Sequence, residues 1–177
     1  VNEHAASGAF FFAPFVSSTR RVDPAWIDHN GHLNLAYYHV LFDHGVDEAC
    51  LMIGIGPEYV VTRKSGLFAA EAHVQYRREL LVTMPVRATV QLVDYDDKRL
   101  HLWTELRHAE EGWLSATCET MLLHVDLGTR KVSTFPADII ANIATMKAAH
   151  SGLPRPEGLG RVIRMPARAR PGRPGIH

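Results

Sequence analysis

Apolar residues recur at helical spacing between Leu35 and Ile53: Leu35, Tyr38, Leu41, Phe42, Val46, Ala49 and Met52. The spacing predicts a long, largely buried helix. Asn34 stands where an N-cap is needed, and Gly54, Gly56 and Pro57 follow as stop signals. Before the helix, Phe15 to Val22 reads as a strand ended by Asp23-Pro24. After it the period shortens to two. Phe68, Ala70, Ala72, Val74 and Tyr76 alternate within Gly66 to Arg78, and Val86, Ala88, Val90 and Leu92 within Met84 to Asp94. Arg99 to Ala109 and Trp113 to Val125 predict two further strands around Glu110-Glu111-Gly112. Lys131 to Thr134 adds a short edge strand, and Pro136 starts a helix that runs to about His150.

One long helix against a mainly antiparallel sheet is an α+β arrangement. The sheet buries the helix on one face, while its edges still need cover, so a partner subunit is expected. Three regions follow: an N-terminal arm at 1–14, a core domain at 15–150 and a C-terminal extension at 151–177. The end from Arg168 to His177 is rich in Pro, Arg and Gly and is expected to be disordered. The apolar run from Gly8 to Phe15 is short and has no basic leader. It reads as an arm that packs on the core or on a partner, not as a signal peptide.

Composition narrows the function classes. The chain has 177 residues, 46% hydrophobic and 21% charged, enough for one sizeable core. A formal net charge of +0 gives no general attraction to nucleic acid or to an anionic membrane. Cys50 and Cys118 form no CxxC pair. Two buried free thiols in a reducing cytoplasm fit better than a disulfide. Gly54-Ile55-Gly56 follows a helix rather than a strand, so it is not a dinucleotide loop, and there is no HExxH. No cofactor and no metal are expected.

The densest polar cluster, Asp28-His29-Asn30-Gly31-His32-Leu33-Asn34, sits at the mouth of the long helix. A helix N-terminus offers free N–H groups that can hold a developing oxyanion. Asp28 just before them is placed to act as a general base or a nucleophile. An Asx turn and an N-cap also account for Asp28, Asn30, Gly31 and Asn34 without chemistry. His32 suits either a structural or a catalytic part. Glu71 interrupts an apolar strand, where a carboxylate faces either a polar cleft or solvent. Arg77 and Arg78 suit acidic side chains or phosphates. His44, His101, His108 and His124 stand alone and read as structural.

The stretch DHNGHLNLAYYHVLFD, from Asp28, resembles the signature of the 4-hydroxybenzoyl-CoA thioesterase branch of the hotdog superfamily. Within that branch, RVDPAWIDHNGHLN, AAEAHVQYRREL, DDKRLHLWTELRH, ATCETMLLHVD and AHSGLPRPEGLGR are similar to the betainyl-CoA thioesterases of carnitine breakdown, including those fused to L-carnitine dehydrogenases. The resemblance implies a hotdog fold and a homodimer or dimer of dimers that hydrolyses acyl-CoA. The family's catalytic carboxylate falls on Asp28, with His32 beside it, and its carbonyl-polarising amides fall near Asn34 and Leu35. The family's usual first Asp is replaced by Trp26. Trp26, Gly31, Tyr37, Tyr38, Phe68 and Glu71 are the expected substrate-binding residues; aromatic faces and a carboxylate suit a trimethylammonium head. The alternatives are a non-hydrolytic acyl-CoA binding protein and a thioesterase for another short or aromatic acyl-CoA. A hotdog dehydratase is disfavoured by Gly31-His32-Leu33-Asn34.

Overall fold

The long helix begins because Asn34 is extended and its side-chain oxygen accepts the Ala36 N–H at 3.0 Å. The computed structural model of the chain describes residues 11–165, and in it α1 spans Leu35–Met52. Tyr38, Leu41, Phe42, Gly45, Ala49 and Cys50 form its buried stripe. The helix ends in a paired closure. Gly54 N donates to Leu51 O and Ile55 N to Cys50 O, both at 3.0 Å, with Gly54 at φ +89°, which suits a residue without a side chain.

The sheet is antiparallel throughout. Its strands are β1 (Phe15–Val16), β2 (Arg20–Arg21), β3 (Ser65–Tyr76), β4 (Pro85–Tyr95), β5 (Arg99–His108), β6 (Leu114–Asp126) and β7 (Lys131–Val132). The main order is β1-β4-β5-β6-β3, with β2 on β4 and β7 on β6. Helices α2 (Pro57–Arg63) and α3 (Ala137–His150) complete the fold. This is the expected α+β hotdog arrangement, a long helix wrapped by an antiparallel sheet. One cluster packs Ile53, Leu92, Leu100 and Ile143 around the C-terminal half of α1. A second packs Leu33, Tyr38, Phe42, Leu80 and Leu106 around its N-terminal half.

Two expectations need correction. The strand expected over Phe15 to Val22 is two short pieces, because the Ser18 N–H and hydroxyl turn to Glu48 on α1. The stop signal Gly56-Pro57 also opens a helix. Pro57 occupies its first position, where a missing N–H costs nothing.

Both cysteines are buried free thiols, as expected. Phe11 packs on the first core cluster, and the Phe12 carbonyl accepts from His150. Residues 1–10 of the arm, and the segment from Arg168 expected to be disordered, lie outside the described residues. Residues 151–165 run back over the sheet: Gln91 donates to Pro154 O, and Gly160 N donates to the Glu119 carboxylate. Among the described residues no helix is long and apolar enough to cross a membrane.

Candidate active site

The loop before α1 is a miniature hairpin. Ile27 and Leu33 form an antiparallel bridge, and the tip closes through Gly31 N to Asp28 O and Asp28 N to His32 O, both 3.0 Å. Gly31 has φ +84°, a conformation that an L side chain rarely adopts. The hairpin is tied to the fold at its base, where Leu33 N donates to Leu80 O at 2.8 Å and Asn34 N to Trp26 O at 2.9 Å. Asp28 is thereby held beside the start of α1.

Asp28 is half-exposed. Its Oδ1 accepts the Asn30 N–H at 2.7 Å, while Oδ2 has only a long 3.4 Å contact to the Asn30 amide. Partial desolvation pushes its pKa up, but the Asn30 N–H and nearby His32 and His29 outweigh it, so the carboxyl sits below its ordinary range. It is a carboxylate at neutral pH. His32 Nδ1 donates to Leu33 O at 3.1 Å, which leaves Nε2 as the free nitrogen. With the Asn34 side chain on Ala36 N, the Leu35 N–H has no acceptor among the described residues. That N–H, at the positive end of an 18-residue helix, is a ready donor for an oxyanion.

Trp26 and Tyr37 stack at the same mouth, with centroids 5.3 Å apart and planes 12° from parallel. Tyr38 is different. It is buried, its hydroxyl accepts the Leu80 N–H at 3.2 Å, and its ring meets Tyr76 edge-on. It supports the loop from beneath.

Phe68 and Glu71 do not join this group within one chain. A bulge between Ala69 and Glu71 resets the alternation of β3. Ala69 and Ala72 face α1 and line a groove with Val40, Asp43 and Val46. Glu71 lines a cavity on the opposite face with His73, His101 and Met121, under the C-terminal segment. Phe68 lies beneath the Arg130 guanidinium.

Sequence reasoning missed the cavity beside α1. It holds about 500 Å³ and is lined by Asp43, Asp47, Cys50, Leu51, Ile55 and Leu67, among others. Burial, then Asp43 one turn away, raises the Asp47 pKa. Neither carboxylate makes an ion pair among the described residues. The spacing of Asp43 and Asp47 on one helix face was the available signal. His108 stacks on Trp113, and His124 is buried against Tyr59 and Ser133, so both are structural as expected. Among the described residues no group of three or more His, Cys, Asp or Glu is placed to hold a metal.

Comparison with known proteins identifies the family and supports the fold. The model of the thioesterase-like superfamily matches residues 22–143, which span the hairpin, α1 and strands β3 to β7. The chain belongs to the thioesterase-like superfamily. It is 35% identical over 143 residues to a betainyl-CoA thioesterase of Pseudomonas aeruginosa, a match that covers 81% of this chain and 90% of that protein. It is 34% identical over 154 residues to an L-carnitine dehydrogenase/betainyl-CoA thioesterase of Ruegeria pomeroyi, covering 87% of this chain and 31% of that one. A Staphylococcus aureus protein solved in complex with CoA superposes with a TM-score of 0.81 at 31% identity, covering 90% of this chain and 100% of that one.

Proposed function

We propose that this protein hydrolyses acyl-CoA thioesters at the Asp28 hairpin, as a homodimer, with betainyl-CoA as its substrate. The observation that carries the chemistry is the placement of an ionised Asp28 beside the unpaired Leu35 N–H. The thioester carbonyl oxygen lies on that N–H. Asp28 takes a proton from water as the water oxygen bonds to the carbonyl carbon, or attacks that carbon itself and is freed by water in a second step. The carbonyl electron pair moves to the oxygen held by Leu35 N–H. Collapse breaks the C–S bond, and the CoA thiolate leaves and takes up the proton. The net reaction consumes one water and gives the free acid and CoA.

The dimer reading rests on β3. It ends the sheet, is 12 residues long, and is exposed from Phe68 to Ala72. A long exposed edge strand invites pairing with another chain. Pairing with a second copy extends the sheet and covers the groove between α1 and β3.

The acyl-group reading rests on likeness to the betainyl-CoA thioesterases and on two features of the structure. The Trp26–Tyr37 pair offers ring faces at the mouth, and a diffuse cation is attracted to such faces. Asp43 and Asp47 make no ion pair among the described residues and line the cavity further along α1, together with Arg20 and His44; a cationic group there would relieve their mutual repulsion.

A thiol-release screen tests the reading. Betainyl-CoA should be hydrolysed with a higher kcat/KM than the isosteric 3,3-dimethylbutyryl-type neutral thioester and than long-chain or aromatic acyl-CoA. Preference for the neutral analogue would remove betainyl-CoA and leave the thioesterase. Tight binding of acyl-CoA without thiol release would remove the enzyme.

A further inference from the structure

We propose that Arg77, Arg161 and Arg164 form the site that holds the phosphates of the CoA nucleotide, a site completed by the C-terminal segment. The inference rests on the acyl-CoA reading above. The three arginines line one groove of about 280 Å³ at the end of β3, together with His73, Gln75 and Tyr76. Gln75 organises it. Its side-chain oxygen accepts from Arg77 at 2.9 Å and from Arg161 at 3.1 Å.

Two guanidinium groups thus converge on one neutral oxygen, and a third lines the same groove. None of the three pairs with a carboxylate among the described residues. In a chain with a formal net charge of +0, such a concentration of unpaired positive charge is local and specific. Planar guanidinium groups match phosphate oxygens two at a time.

The groove is fixed, not incidental. The segment that carries Arg161 and Arg164 is anchored through Gly160 N on the Glu119 carboxylate, which also pairs with His101 at 2.8 Å. Gly158, at φ +95°, lets the segment lie against Gln75 and Trp103. The groove lies on the face of the sheet away from α1, and a chain of contacts at the end of β3 links it to the hairpin. Tyr76 flanks it and meets the Tyr38 ring at 5.0 Å; the Tyr38 hydroxyl holds Leu80 N, and Leu80 O holds the base of the Asp28 hairpin. CoA separates its sulfur from its phosphates by the pantetheine arm, so a phosphate site belongs on the surface, some way from the thioester. The groove supplies it.

The test compares the parent with Arg161→Ala, Arg164→Ala and their double variant. Each is assayed on a CoA thioester and on the N-acetylcysteamine thioester of the same acyl group, which has no phosphates. The kcat/KM ratio of the first substrate to the second should fall by roughly tenfold to a hundredfold in the double variant. A ratio unchanged from the parent overturns the proposal. If the parent hydrolyses neither substrate, the thioesterase reading fails separately. Calorimetry with adenosine 3′,5′-bisphosphate then still decides the groove: binding by the parent that the double variant loses supports it, and equal or absent binding overturns it.

Discussion

The Trp26 indole lies flat on the Tyr37 ring, 5.3 Å between centroids, at the mouth that Asp28 guards. Trp26 thus presents an aromatic face beside the start of α1. Trp26→Ala should lower kcat/KM for betainyl-CoA relative to a neutral isostere by roughly threefold to thirtyfold, the value of one desolvated cation–π contact. Glu71→Gln, on the other face of the sheet, should leave that ratio unchanged. Steady-state kinetics with the two substrates checks both.

At Gly45, α1 lies close against β4: a Cβ there would run into the Ala88 Cβ. In an open helix, Gly→Ala gains about 1 kcal/mol. Here overpacking costs about 1–3 kcal/mol, so it wins or at least cancels the gain. Gly45→Ala should lower the urea midpoint or leave it unimproved. Clear stabilisation would show that the helix and β4 are further apart.

The long helix and strands β4 to β6 were legible in the sequence from their apolar periods, and Asn34, Gly54 and Pro136 mark element ends. The loop at Asp28 was legible as a turn and an N-cap, from Gly31 and Asn34. The faces of β3 were not. Counting by twos puts Phe68 and Ala72 on one face, whereas the bulge before Glu71 puts Phe68 with Glu71 and Ala69 with Ala72. An extra residue leaves no mark on a period-two pattern. Helix α2 was hidden because Gly56-Pro57 is both a stop and a start. The groove of Arg77, Arg161 and Arg164 joins residues far apart in the chain, through Gln75, and no local pattern reveals it.

His150 is buried and neutral. Its Nδ1 accepts the Leu92 N–H and its Nε2–H donates to the Phe12 carbonyl, both at 2.9 Å. Burial, with Lys147 adding to it, lowers its pKa below the ordinary imidazole value of about 6.5. His124 is shifted the same way, chiefly by burial. The unfolded chain therefore binds more protons than the folded one in this window, so stability rises with pH there. It is complete above about pH 6.5 and is lost as pH falls through the lowered folded values. Thermal melts from pH 7 to pH 5 should show a falling Tm, with a smaller fall in His150→Gln. Identical slopes would place the protonation elsewhere.

Exposure of β3 from Phe68 to Ala72 calls for a second copy. Light scattering at micromolar concentration should give two or four times the 19.8 kDa chain mass. A mass of one chain would leave the edge uncovered and the dimer account wrong.

The most direct test is Asp28→Asn. It keeps the size of the side chain and an oxygen for the Asn30 N–H, so the hairpin should survive. Thiol release from the preferred acyl-CoA, followed in purified parent and variant of equal Tm, is the measurement. The account expects kcat to fall on the order of 10²-fold or more. Turnover close to that of the parent would contradict it and move the chemistry away from Asp28.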